Sequence, residues 1–226
     1  MHVCLFDIDG TLVATGGAGK AAMEAALALE FGIARLVAEV PYSGRTDRAI
    51  GADLLRLHGL EASPHTWQRL AAAYLRHLPG SLARHQGRVL PGIAHLLDHL
   101  SGREDIVLGL LTGNIREGAR LKLGHYNLFH YFVIGGFGDL HLCRDDVARE
   151  ALAAVHGHLN GTANPDQIWV IGDTPLDIRC ARAIGARVAA VATGWHSTEE
   201  LAAASPDLLL PDLSDPEPLT RRLRAG

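Results

Sequence analysis

The sequence predicts an α/β protein, an open, doubly wound parallel sheet with a helical domain inserted near its start. Short apolar runs of strand-like composition recur at 3–8, 106–111, 131–134, 168–171 and 187–191, each soon followed by Gly, Asp, Asn or Thr. Helical patterns at 115–123, 145–159 and 176–184 fall between them, with lengths that suit right-handed crossovers between parallel strands. The third observation is a disproportion: roughly a hundred residues separate the first run from the second, where a crossover needs about a dozen.

That long connection is rich in Ala, Leu and Arg, with helical periodicity at 18–31, 47–58 and 64–78 and no clear strand pattern. A helical accessory domain is therefore expected at 16–86, with the core formed by 1–15 and 87–226. Gly16-Gly17 and the stretch from Gly87 to Pro91-Gly92 would be the hinges. The segment after Ser205, with its Pro and Asp residues, reads as a final strand or loop on the core, and no internal repeat is evident.

Composition excludes several classes. With 226 residues, 48% of them hydrophobic, the chain can bury a sizeable core. A net charge of -4 with both signs scattered offers neither a basic stripe for nucleic acid nor a polybasic membrane anchor. Asp7 and Asp9 stand where a secretory signal needs an apolar core, and the apolar stretches are too short to span a bilayer, so a cytoplasmic protein is expected. Cys4, Cys143 and Cys180, odd in number and widely spaced, read as reduced structural thiols. Neither His156 with His158 nor His95 with His99 brings a third metal ligand nearby. The oligomeric state is not legible.

In such sheets ligands sit beyond the carboxyl ends of the strands. The residues there are Asp7 and Asp9, then Thr112-Gly113-Asn114, then Gly172-Asp173-Thr174 with Asp177. Asp7 and Asp9, two apart on extended backbone, point the same way. Two carboxylates beside an anionic phosphate repel strongly, and a magnesium ion held by Asp7 and Asp173 would reverse the sign. Thr112, Gly113 and Asn114 offer a hydroxyl, an unobstructed amide and a side-chain amide just before a helix start, a seat suited to phosphate. Taken alone, Thr-Gly-Asn is an ordinary turn with a helix cap. Three such clusters converging on one sheet edge are what favour a site.

Asp7-Ile8-Asp9-Gly10-Thr11, Thr112-Gly113-Asn114 and Gly172-Asp173-Thr174-Pro175-Leu176-Asp177 resemble the first, second and fourth motifs of the haloacid dehalogenase-like (HAD) hydrolase superfamily. The resemblance spans nearly the whole chain, since the family's type-one cap is helical and enters at this point of a Rossmann-like core. It is nearest to the branch of phosphoglycolate phosphatases and β-phosphoglucomutases. It implies that Asp7 is the nucleophile, that Asp9 is the general acid and base, and that Thr112 binds the transferring phosphoryl group. Asp173 and Asp177 would complete a Mg2+ site with Asp7 and the backbone carbonyl of Asp9.

The family's third motif is usually a lysine between positions corresponding to Phe137 and Glu150. The chain's two lysines, Lys20 and Lys122, both lie outside that stretch. Arg144 is the expected substitute, with Arg149 as the fallback, because a guanidinium can pair with phosphate and carboxylate together. In the cap, Arg45 of Tyr42-Ser43-Gly44-Arg45-Thr46-Asp47 would read the substrate's leaving group, or simply lie in solvent at a capped helix start. Gly16-Gly17-Ala18-Gly19-Lys20 mimics a phosphate-binding loop, but Ala14 and Ala21 occupy positions that need Gly and Ser or Thr. Lys20 then lies in solvent or near the site mouth.

The expected function is Mg2+-dependent hydrolysis of a small phosphorylated metabolite. A phosphomutase of the β-phosphoglucomutase type is the alternative, and a non-catalytic phosphate-binding module a weaker one that intact Asp7, Asp9, Thr112 and Asp173 oppose. A dehalogenase needs neither a metal site nor Asp9, and a phosphonate hydrolase needs a cap lysine that only Lys20 approaches.

Overall fold

Val3 and Leu5 face one side of the first strand and Cys4 and Phe6 the other, and all four are fully buried. A strand covered on both faces reads in this way, as a continuous apolar run without alternation. The computed structural model describes residues 1–161 and 163–224. In chain order its elements are β1 (His2–Phe6), β2 (Val13–Ala14), α1 (Ala18–Phe31), α2 (Asp47–Leu57), α3 (Pro64–Arg84), β3 (Arg88–Val89), α4 (Ile93–Ser101), β4 (Ile106–Leu111), α5 (Arg116–His125) and β5 (Ile134–Gly136). They continue with α6 (Arg144–His158), β6 (Ile168–Gly172), α7 (Pro175–Ala183), β7 (Arg187–Val191), α8 (Thr198–Ala203), β8 (Leu208–Leu210) and α9 (Glu217–Arg222).

Six strands form one parallel sheet in the order β5-β4-β1-β6-β7-β8. The chain runs outward from β1 through β4 to β5, then crosses back to β6 on the other side of β1. The winding reverses beside β1, so the loops leaving β1, β4 and β6 meet over a crevice at their carboxyl ends. Apolar clusters cover both faces, one centred on Phe6, Leu108 and Trp169, the other on Leu5, Val170 and Val188.

The helical insertion lies between β2 and β3, which pair antiparallel as a short two-stranded ribbon. Its helices have their own apolar cluster, in which Met23 and Leu27 of α1, Leu54 of α2, and Leu70 and Tyr74 of α3 are buried. Gly16 and Gly17 enter α1 at φ 63° and 88°, a left-handed backbone that glycine adopts without strain.

Two expectations shift. The run at 131–134 does not make a strand along its length: Phe129–Tyr131 is a 3-10 turn, and β5 begins only at Ile134, paired with Gly109. Phe129 and Tyr131 are spent packing on the core beside Phe132. The helical pattern at 64–78 continues through Pro79 to Arg84. Pro79 is exposed, so water can serve the carbonyl it leaves unpaired, while Leu82 is buried and the buried Ser81 hydroxyl donates to Ala18 O at 2.9 Å. The tail after Ser205 supplies the edge strand β8, as expected, and also α9.

Candidate active site

Asp7 sits one residue beyond β1, its amide bonded to Ile171 O at 2.9 Å, and Asp173 sits one residue beyond β6. The register of these adjacent strands brings the two carboxylates together with Asp177 from the first turn of α7. One oxygen of each lies within 4.8 Å of the others, and all three residues are buried. Gly10 makes the approach possible. It turns the chain at φ 86°, and a Cβ there would stand 2.4 Å from Asp173 Oδ2. Thr11 Oγ1 donates to Asp173 Oδ1 at 2.9 Å, and Thr193 Oγ1 holds the Gly10 carbonyl at 2.5 Å.

The predicted third-motif arginine is drawn into this cluster. Arg144, first residue of α6, places Nη2 3.0 Å from Asp7 Oδ1 and 2.5 Å from Asp177 Oδ1, and its Nη1 donates to Gly44 O of the cap. Its Nε is buried without a partner. Arg149, the fallback, lies exposed one turn on, paired with Asp146. Asp177 is fully engaged: Oδ2 accepts from the Thr174 amide and hydroxyl in a capping box, while Oδ1 accepts from Arg144.

Three carboxylates against one guanidinium leave the cluster short of positive charge. Burial pushes the Asp7 carboxyl up to about 6, with Arg144 opposing and Asp177 reinforcing the rise. Burial likewise drives Asp173 well above the usual range, helped by Asp177 and Asp7. Burial would lower Arg144, but Asp177 and Asp7 more than restore its charge. A hard divalent cation among these oxygens answers the imbalance. Among the described residues no other group of three His, Cys, Asp or Glu side chains is placed to hold a metal.

Asp9 points elsewhere. Its Oδ2 accepts from Asn114 Nδ2 at 2.9 Å and from Lys122 Nζ at 2.5 Å, and Thr15 Oγ1 reaches Oδ1 at 3.4 Å. Burial alone would raise its carboxyl; Lys122, Asn114 and Thr15 together hold it below the ordinary value. The Asn114 amide thus binds Asp9 and the Thr112 hydroxyl, at 2.9 Å each, rather than lying open to phosphate. Thr112 Oγ1 accepts from both the amide and the side chain of Asn114, which leaves its own hydrogen to donate.

The helical insertion meets these groups through contacts with the backbone of the loop after β4. The Asp47 amide donates to Gly113 O at 2.7 Å, and the Asp47 carboxylate accepts from the Ile115 amide at 2.9 Å. A Cβ on Gly113 would stand 2.1 Å from Arg45 O, so glycine here admits the cap turn. Asp139 accepts from the Arg116 amide. The first amides of α5, expected to favour a bound anion, are therefore occupied by the protein's own carboxylates. Arg45 is not brought to the cluster: its guanidinium binds Asp53 at 2.6 Å and Pro41 O at 3.1 Å, and the turn reaches the site through Gly44 O instead. Lys20 is half-exposed beside Glu24.

Lys122 is the residue the motifs did not reveal. It is one of two lysines among 21 basic residues, and its side chain is only 5% exposed. The signal was present in α5, where Ala119 and Leu123 mark the apolar face and Lys122 falls on the same face. Cys4 and Cys180 are buried with thiols pushed up to about 12 by burial, as inert structural cysteines should be. No described helix is long and apolar enough to cross a membrane.

Comparison with known proteins agrees with this geometry. A sequence profile of the haloacid dehalogenase-like hydrolases matches residues 4–182. The phosphoglycolate phosphatase of Synechococcus elongatus is 31% identical over 220 residues, covering 95% of each chain. That of Salmonella paratyphi A is 29% identical over 246 residues, covering 93% of this chain and 88% of its own. Among solved structures, CbbY from Rhodobacter sphaeroides in complex with phosphate shares the fold with a TM-score of 0.73 at 20% identity, over 95% of this chain and 96% of its own. Matched along most of its length by the profile, and nearly end to end by phosphatase relatives, the chain belongs to the haloacid dehalogenase-like hydrolase family, in its phosphatase branch.

Proposed function

We propose that the protein hydrolyses a small phosphate monoester through a phospho-aspartate on Asp7, with Asp9 as general acid and base. The observation that carries this reading is the buried Asp7, Asp173 and Asp177 cluster, gathered within 4.8 Å at the crevice of the sheet with Arg144 as its one cationic partner among the described residues. Such a cluster is costly alone, and metal and phosphate are each the other's reason.

In the first half-reaction the Asp7 carboxylate attacks phosphorus and the ester P–O bond breaks; Asp9, held below its ordinary value by Lys122, must enter this step in its protonated form and gives that proton to the departing oxygen. In the second, Asp9 takes a proton from water as that water attacks the acyl phosphate, freeing inorganic phosphate and restoring Asp7. Thr112, with its hydroxyl hydrogen unclaimed, donates to a phosphoryl oxygen. Arg144 orients Asp7 and offers its unpartnered Nε to the same charge. Residues 16–86 act as the cap, excluding bulk water while the Ser43–Gly44 turn sits over the cluster.

Asp7, Asp173 and the Asp9 carbonyl would hold Mg2+, with Asp177 contributing charge, although both of its oxygens already have protein donors. When bound, the ion would neutralise the charge that develops on the phosphoryl oxygens. The relatives named above make phosphoglycolate the first substrate to try, in a cytoplasmic setting. The test is phosphate release from p-nitrophenyl phosphate and a panel of small esters, phosphoglycolate included, with magnesium, with EDTA, and with Asp7→Asn. Magnesium-dependent release that disappears in the variant supports the reading. Release that survives Asp7→Asn would overturn it, and conversion of sugar 1-phosphates without release of phosphate would point to a mutase.

A further inference from the structure

Lys122 sits where the two parts of the molecule meet. Its ammonium donates to Asp9 Oδ2 and to Asn114 Oδ1, both at 2.5 Å, and Asn114 in turn donates to Asp9 Oδ2 and Thr112 Oγ1. Lysine, asparagine and aspartate thus close a three-membered ring of hydrogen bonds, anchored to Thr112 just beyond β4. Helix α1 of the cap passes directly over it. A methyl added at Gly19 would stand 3.3 Å from Lys122 Nζ and 4.0 Å from the Tyr74 hydroxyl of α3. Asp47, at the cap's other contact with the Thr112–Asn114 turn, adds a second negative charge facing the ammonium.

A buried lysine is an expensive way to hold a fold together, because an apolar side chain of similar volume would usually serve stability as well or better. Its partners show a different use. The Asp9 side chain keeps 40% of its surface open, whereas the ammonium that holds it is walled in, so Lys122 has no path to a substrate except through Asp9. A compact ammonium with rotatable donors makes both short bonds in this walled-in space.

We propose that Lys122 is the positioning residue for the proton-transfer group of this site: fastened to Asn114 and roofed by the cap, its ammonium fixes the orientation of the Asp9 carboxyl group for both half-reactions. The inference rests on the assignment of Asp9 as acid and base. Because Lys122 acts through Asp9 and its hydrogen bonds go to Asp9 and Asn114 rather than to the Asp7, Asp173 and Asp177 cluster, its removal should slow turnover and leave substrate affinity alone.

The test is a double-mutant cycle in the full chain, measuring kcat and KM with p-nitrophenyl phosphate and with phosphoglycolate for the wild type, Lys122→Met, Asp9→Asn and the pair combined. Lys122→Met is expected to lower kcat by about 30-fold or more with KM within about twofold, given the usual 10²–10⁴ weight of general acid–base catalysis. The double variant should be no slower than Asp9→Asn within about threefold, since residues acting as one unit are not additive. Unchanged kcat in Lys122→Met, a loss confined to KM, or a further tenfold fall in the double variant would each overturn the proposal. Should Lys122→Met fail to fold because Asp9 is left unpaired, Asp9→Asn against the double variant still decides, as neither retains that unpaired carboxylate. A wild type without magnesium-dependent, Asp7-dependent release would instead bring down the phosphatase mechanism itself, and this inference with it.

Discussion

Arg144 Nη2 lies 3.0 Å from Asp7 Oδ1, with both side chains almost wholly buried. The same nitrogen serves Asp177 at 2.5 Å, so a single cation is shared by two carboxylates, one just beyond β1 and one in the first turn of α7. Truncating it leaves two buried acids uncompensated. Arg144→Ala should therefore cost on the order of 3–5 kcal/mol and lower the melting temperature accordingly. Added magnesium should restore part of that loss, since it brings positive charge to the same oxygens. Arg149→Ala, at an exposed pair with Asp146, should fall within about 0.5 kcal/mol of wild type. The opposite ranking in thermal melts would move the third motif to Arg149.

Asp7→Asn separates catalysis from stability. If Asp7 is the nucleophile as proposed, its loss should reduce turnover by about 10⁴-fold or more. Burial holds the native Asp7 carboxyl near 6, above its ordinary 3.8. The stability it contributes is thus full below the unfolded value and disappears as pH rises through about 6. At pH 7.5 in EDTA the charged carboxylate weighs against the fold, and the neutral amide should melt no lower than wild type. A clear drop in melting temperature would show that the Arg144–Asp7 pair outweighs the burial of the charge.

Metal binding should appear as stability. Magnesium at about a hundred times its dissociation constant adds about 2.7 kcal/mol by mass action when it binds only the native state. The rise in melting temperature with magnesium should vanish in Asp173→Asn, whose carboxylate stands in the cluster against Asp7. Persistence of the full shift in that variant would place the ion elsewhere.

The parts of this molecule legible in the sequence are those where one local rule decides. The strands at 106–111 and 187–191 and the helix Ala18–Phe31 have the bounds their patterns indicate, because uninterrupted apolar or helical periodicity leaves no competitor. Asp7, Thr112 and Asp173 lie where the strand ends of a doubly wound sheet converge, whereas Arg144, at the start of α6, follows from the family resemblance and the lack of a lysine between Phe137 and Glu150. What escaped depends on tertiary packing. Pro79 would end most helices, yet burial of Leu82 carries α3 past it. Arg45 sits in the expected turn, but Asp53, eight residues farther along in α2, claims its guanidinium. Asn114 looks like a phosphate donor until Lys122, eight residues on, is seen to turn it toward Asp9, and no motif spacing announces that inward lysine.

Asp47 gives the cap–core contact a pH dependence of its own. Its carboxylate accepts from the Ile115 amide while its amide donates to Gly113 O, pinning α2 against the loop after β4. Burial pushes this carboxyl up to about 6, against the opposing pull of Lys122 and the Ile115 amide. The native value lies above the unfolded one, so protonation favours the folded form. That contribution is full below the unfolded value near 4 and is lost as pH rises through about 6, amounting to at most about 3 kcal/mol. Asp47→Asn keeps an oxygen to accept from Ile115 and carries no charge at any pH. Its melting temperature relative to wild type should rise between pH 4.5 and pH 7.5, with the variant the more stable at the upper end. A difference that stays flat across that range would mean that Asp47 is ionised without cost in the native protein, its charge fully answered by Lys122.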